Sequence, residues 1–197
     1  MTTALLRLGI SRCLLGHEVR FDGGHKRDEF LTDIFGRYVE WVPVCPEVEA
    51  GLGTPREAMR LVGDPHHPRL ITIKSAKDHT EALEGMTANR LPSLKDLSGY
   101  VFKKDSPSCG VHRVRIFNRH GMPSRNGTGL FARAFMITTQ LKELWSSGVV
   151  DGWRCLLCGE NIDPVIQVNR TSHTPPVQTR ARVPGSPSAR FAKAKVR

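Results

Sequence analysis

Three cysteines of this chain stand among turn-forming and polar neighbours: Cys13 in Ser11-Arg12-Cys13, Cys45 in Pro43-Val44-Cys45-Pro46-Glu47, and Cys109 in Ser106-Pro107-Ser108-Cys109-Gly110. A lone cysteine is more often a small buried hydrophobe than a ligand, but core cysteines are not usually packaged in such loops. Three thiolates with no obvious fourth ligand suit an iron–sulfur cluster that leaves one iron open. Zinc held by three cysteines and a water is the rival. Glu47, two residues after Cys45, is placed to act on something bound at the open metal position; the alternative is a surface or helix-capping carboxylate. Ser106 and Ser108 stand in the same relation to Cys109, although serines beside proline are mostly turn formers. Asp22, in the tight turn Asp22-Gly23-Gly24, follows Cys13 closely. Lys26, Arg56, Lys103 and Lys104 are cations that could hold an anionic substrate, or solvated charges.

The elements that must position these residues can be read from periodicity. Residues 5–10 read as a short core strand ending at Cys13, and residues 39–44 as a second strand running directly into Cys45. Phe30, Leu31, Ile34, Phe35 and Tyr38 fall at the spacing of one apolar helical face, which predicts a helix over 27–37. A helix is predicted from Asp78-His79-Thr80-Glu81 to about Leu91-Pro92. Tyr100-Val101-Phe102 is a third strand, residues 114–117 a fourth, and residues 130–140 a last helix. Alternating strands and helices indicate an α/β sandwich with a mostly parallel sheet. Ligands of such sheets bind beyond the carboxyl ends of the strands. Cys13, Cys45 and Cys109 each follow a strand, so three separate loops should bring three thiols to one edge of the sheet.

The remainder of the chain has a different character. Residues 1–137 form the expected core domain and residues 138–168 a short segment around Cys155-Leu156-Leu157-Cys158. Residues 169–197, rich in Pro, Ser, Ala and Arg, form a tail expected to be disordered. Cys155 and Cys158 make a candidate zinc knuckle, short of the four ligands a closed site needs unless His173 or a second protomer supplies more. The net charge is +10, of which the tail carries seven positive charges and no acid, leaving +3 for residues 1–168. Nucleic acid is therefore expected as a partner only through the tail. Five cysteines, an odd number, argue against a disulfide framework. The N-terminal apolar run is short and holds Arg7, and nothing approaches the ~20 apolar residues of a membrane span. No membrane association and a cytoplasmic location are expected.

The ordered motifs Cys13-Leu14-Leu15-Gly16 with Val19-Arg20-Phe21-Asp22-Gly23-Gly24-His25-Lys26, Val44-Cys45-Pro46-Glu47, Gly51-Leu52-Gly53-Thr54-Pro55-Arg56 and Lys104-Asp105-Ser106-Pro107-Ser108-Cys109-Gly110 closely resemble the thiouracil desulfidase family (TudS; domain of unknown function 523), over about residues 5–136. The resemblance implies a Rossmann-like three-layer sandwich holding a [4Fe-4S] cluster on Cys13, Cys45 and Cys109. It carries the family's catalytic glutamate to Glu47 and places its catalytic serine at Ser106. Asp22, Lys26 and Ser108 become candidate substrate contacts. The implied activity is non-redox removal of sulfur from a thiolated pyrimidine base or nucleoside, the open iron taking the substrate sulfur. Two other classes remain: a nucleic-acid-binding or regulatory metal module, and a sulfur or electron carrier. The longer relatives' acidic segment and second helical domain are not recognisable after Met136.

Overall fold

The computed structural model describes residues 5–139 and the backbone of two further strands, at 153–154 and 161–165. The strands fall into two sheets. In the first, β1 (Leu6–Ser11) lies between β2 (Val39–Val44) and β5 (Gly99–Phe102), parallel to both. Beyond β5 the sheet continues antiparallel through β9 (Asn161–Val165) and β8 (Trp153–Arg154). The second sheet runs β4 (His67–Thr72), β3 (Met59–Asp64), β6 (Val114–Phe117) and β7 (Pro123–Gly127), with only the β3–β6 pair parallel. The expected mostly parallel sheet is thus the β2-β1-β5 core of the first sheet, while the second sheet is mixed. Cys155, Cys158 and residues 169–197 lie outside the described residues, so the zinc knuckle and the tail are not addressed by this structure.

Burial explains the layout. The last four residues of β1 and all four of β5 are buried, as central strands covered on both faces require. Gly9 is needed because a Cβ there would overlap the Tyr100 ring. Tyr100 and Phe102 stack at 4.1 Å and pack against Phe131 and Phe135 of α3 (Leu130–Thr139). Leu130 joins Leu83 of α2 (Thr80–Arg90) in a second core with Leu61, Leu70, Val114 and Ile116 of the second sheet. The two helices therefore contribute to both cores. On the other face of the first sheet, Ile10 and Val101 pack with Leu14, Leu31, Phe35 and Trp41.

One helix expected from periodicity is absent as such. Residues 27–37 form a π turn, Phe30–Ile34, and a 3₁₀ turn, Phe35–Arg37. The Phe35 N–H reaches back to the Phe30 carbonyl, and the Trp41 indole N–H takes the Leu31 carbonyl at 3.3 Å. A side chain–backbone bond has displaced one rung of the helical ladder. The apolar spacing is also not a core face, since Leu31 is buried while Ile34 and Tyr38 are 54% and 68% exposed.

Candidate active site

Three loops bring the three thiols to one cavity. Cys13 sits in the 3₁₀ turn Arg12–Leu15 directly after β1, and its carbonyl accepts the N–H groups of Gly16 at 3.3 Å and Lys26 at 2.9 Å. Gly16 closes that turn at φ 92°, a conformation glycine adopts without strain. Cys45 follows β2 at the start of the short helix α1 (Pro46–Glu49), and its N–H donates to the Glu49 carboxylate at 3.2 Å. Glu49 is held in turn by Arg90 of α2 at 3.2 Å. Cys109 lies in the loop after β5, where the Ser106 hydroxyl oxygen accepts the N–H groups of Ser108 at 3.2 Å and Cys109 at 3.0 Å. The thiols share a cavity of about 360 Å³ with Glu47, Arg20, Arg115, Lys103 and Lys104 at its walls, a size within the ~300–1,000 Å³ of small-molecule sites.

Left to themselves these thiols are protonated and inert. Burial pushes Cys13 from an ordinary 9.0 to about 11, with Lys103 pulling the other way and the Cys45 charge adding to the rise. Burial also raises Cys45, and raises Cys109 further, where the Ser11 hydroxyl opposes it and the Cys45 and Glu47 charges add to it. Thiols so placed become thiolates only when a bound cation compensates the lost solvation. Among the described residues, no three His, Cys, Asp or Glu side chains are grouped so as to hold a single metal ion. A polynuclear cluster asks for something else, because each thiolate binds a different iron.

Glu47 is the most tightly held carboxylate of the cavity. Arg56 donates to its Oε2 from Nε at 2.9 Å and from Nη2 at 2.5 Å, and Ser108 donates to its Oε1 at 2.7 Å. The Arg56 and Glu47 side chains are only 8% and 12% exposed. The third guanidinium nitrogen of Arg56 donates to the Val19 and Gly53 carbonyls, at 3.1 and 2.8 Å. Arg56, one of the cations weighed for an anionic substrate, is thus committed to Glu47 and the chain around it.

A family model described as 2-thiouracil desulfurase matches residues 8–143. The chain belongs to the 2-thiouracil desulfurase family. Its curated relative in Bacillus subtilis (strain 168), titled uncharacterized protein YbbK, is 32% identical over 108 residues, which cover 51% of this chain and 71% of that protein. A solved structure titled [4Fe-4S]-dependent thiouracil desulfidase TudS superposes with a TM-score of 0.56 at 28% identity, covering 68% of this chain and 87% of that one.

In this family member, Cys13, Cys45, Cys109, Glu47 and Ser106 all line one cavity. Ser108 is fully buried and reaches Glu47 instead of the cavity. Asp22 is absent from the walls: its carboxylate accepts Arg20 at 3.1 and 3.2 Å and the Gly24 N–H, and the bond from Arg20 pulls its pKa down. Asp22 thereby steadies Arg20, which does line the cavity. Lys26 is exposed, and its backbone N–H ties the Cys13 turn. Sequence reasoning missed the Glu47–Ser108 pair, 61 positions apart, and the presence of Arg115 in the wall. The one available signal was that Arg56 ends the motif Gly51-Leu52-Gly53-Thr54-Pro55-Arg56.

Proposed function

We propose that this chain is an iron–sulfur-dependent desulfidase that exchanges the thiocarbonyl sulfur of a thiolated pyrimidine base or nucleoside for oxygen. Water supplies the oxygen and hydrogen sulfide is the second product, so the oxidation states of carbon and sulfur do not change. Cys13, Cys45 and Cys109 would hold a [4Fe-4S] cluster, whose iron without a protein ligand supplies a Lewis acid toward the substrate sulfur. The donor set fits such a group: thiols from three separate loops line one cavity, Cys45 and Cys109 buried and Cys13 partly so. The parallel β2-β1-β5 arrangement, with all three loops at the carboxyl ends of its strands, supports the Rossmann-like reading.

Glu47 is the base. Arg56 and Ser108 fix its carboxylate in the cavity wall, and the one acceptor site left, on Oε1, orients and deprotonates the attacking water. Ser106 is the proton relay. Its oxygen already accepts two backbone N–H groups, so the hydroxyl hydrogen is what it has left to donate. The observation that carries this reading is the meeting of three thiols with a clamped carboxylate in one cavity. A carrier of sulfur or electrons would have no use for that carboxylate. Oxygen-sensitive thiol chemistry of this kind also suits a reducing cytoplasm.

The test begins with protein produced without oxygen, which should contain about four irons and four sulfides per chain. It should release sulfide from 2- or 4-thiouracil. Replacing Cys13, Cys45 or Cys109 by Ala should remove the iron. Glu47→Gln should keep the iron and lose ~10²–10⁴-fold in turnover, the worth of a positioned acid–base group. Full activity in Glu47→Gln would remove the carboxylate from the mechanism, and an iron-loaded wild type inert toward thiolated bases would overturn the enzyme reading.

A further inference from the structure

The modest charge of the chain ahead of its tail conceals a segregation. Residues 1–102 carry 13 basic and 14 acidic side chains, and residues 140–168 carry 2 and 4. Residues 103–139 carry 7 basic side chains, Lys103, Lys104, Arg113, Arg115, Arg119, Arg125 and Arg133, against Asp105 alone. That stretch folds as the loop of Cys109, the β6–β7 hairpin and α3. Its cations are therefore divided: Lys103, Lys104 and Arg115 stand at the cavity wall, Arg133 is held by the Pro65 and His66 carbonyls, and the rest lie on the hairpin and the turn before it.

Strand alternation decides where they point. Val114 and Ile116 of β6 and Leu61 of β3 are buried in the core between sheet and helices. Arg115 and Phe117, and beside them Arg60 and Val62, therefore face away from it. Arg113, Arg115, Arg119 and Arg125 are all exposed. Asp105, the one acid of the stretch, stands 3.7 Å from Arg125, both of them about half exposed. Arg115 also lines the cavity, together with Lys103 and Lys104, so the basic lane begins at the mouth and runs outward along the hairpin. Aromatic faces accompany it at both ends. The Arg60 guanidinium lies 4.8 Å over the Phe117 ring on the outer face, and that of Arg20 lies 5.5 Å from the Phe21 ring at the cavity.

We propose that the outer face of the β6–β7 hairpin binds the backbone of single-stranded nucleic acid, leading it to the cavity mouth. A polyanion matches the local charge, and a basic track with aromatic rings beside it, Phe21 exposed and Phe117 partly so, is how proteins hold single strands, phosphates on the cations and bases on the rings. The surface belongs to the folded body, so it is distinct from the basic tail. Binding is read without iron or turnover, and its outcome is separate from that of the desulfidase reading.

The experiment titrates full-chain protein into a fluorescein-labelled oligouridylate and follows anisotropy at several salt concentrations. Four proteins are compared: wild type; a hairpin set with Arg113, Arg115, Arg119 and Arg125 changed to Gln; the same four changed to Lys; and a tail set with Arg180, Arg182, Arg190, Lys193, Lys195 and Arg197 changed to Gln. The hairpin Gln set should bind at least about tenfold more weakly, and its log–log salt slope should be shallower by about 3, since each phosphate neutralised on a single strand contributes about 0.7. The Lys set and the tail set should keep most of the affinity. The proposal is overturned if the hairpin Gln set retains wild-type affinity and slope, if only the tail set loses binding, or if the Lys set fails as badly as the Gln set. Hairpin-dependent uptake of phosphatidylglycerol vesicles with no binding of the oligonucleotide would overturn it as well, in favour of a membrane surface.

Discussion

Arg56→Ala tests the clamp on Glu47. The ion pair is almost wholly buried, with side chains 8% and 12% exposed, and two of the three donors to the carboxylate come from Arg56. Removing one partner of a buried pair costs about 3–5 kcal/mol, because the other charge remains without compensation. Glu47 borders a cavity that can admit water, so the lower end of that range, about 3 kcal/mol, is expected. Urea denaturation of cluster-free protein gives the number directly. The same substitution in a Glu47→Gln background should cost only about 1 kcal/mol, a coupling of about 2 kcal/mol between the two positions. Arg56→Lys should fall between, since an ammonium keeps the charge but cannot match the two parallel donors of the guanidinium fork. Turnover should fall with the clamp in Arg56→Ala while iron content is retained. A cost below about 1 kcal/mol that is the same in both backgrounds would show that Arg56 does not hold Glu47, and the mechanism would lose its fixed base.

Gly129→Ala should displace the Cys109 loop, because a Cβ there would stand 2.5 Å from the Ser108 carbonyl carbon and oxygen; iron content per chain after anaerobic production should drop, while Gly85→Ala, where a Cβ meets nothing within 4 Å, should not change it. Cys13 in cluster-free protein holds its proton more tightly folded than unfolded, from 9.0 to about 11. Its contribution is therefore complete below pH 9 and lost as pH rises to 11, an upper bound of roughly 3 kcal/mol at ~1.4 kcal/mol per unit; denaturation curves at pH 8 and 11 should show the fall, and equal stabilities would contradict it. Chelating the iron should leave the far-ultraviolet circular dichroism nearly unchanged, and a collapse of the spectrum would show that the cluster is needed for the fold.

What the sequence disclosed follows from the range of the interactions involved. Strand β2 was legible to the residue because Val39–Val44 is rich in β-formers, three valines and a tryptophan in six positions, and runs directly into Cys45. The three thiols could be assigned to one edge because a parallel sheet puts the ends of its strands on one side, whatever fills the loops. The helix over 27–37 failed on one tertiary contact, the Trp41 indole at the Leu31 carbonyl, which no local pattern encodes. Of the second sheet only β6 was legible, as residues 114–117; β3, β4 and β7 escaped because they mix charged and polar residues with apolar ones, blurring the alternation, and because β3 and β6 pair across more than fifty intervening residues. Arg56 was legible as a cation for an anionic substrate or a solvated charge, and Ser108 as a turn former or a candidate substrate contact, neither as a partner of Glu47. Their function exists solely in the contact with Glu47, nine and 61 positions away.

The way the three cysteines are anchored decides how much of the site exists before any cluster arrives. None of the three loops is tied down through sulfur alone. The Cys13 turn is fixed by its carbonyl, the Cys45 N–H by Glu49 and through it Arg90, and the Cys109 N–H by the Ser106 hydroxyl. The Cys45 anchor ends on α2, while those of Cys13 and Cys109 stay within the loops that follow β1 and β5, strands whose burial is supplied by the hydrophobic clusters. The carboxylate beside them is fixed in the same manner, by Arg56 and Ser108. Small metal-dependent domains are ordered by their metal because little else holds them. Here the folding free energy comes from three hydrophobic clusters, and the protonated thiols are carried into place with the backbone. A cluster assembled on this chain would therefore meet a formed cavity, with the Glu47 carboxylate already fixed in its wall.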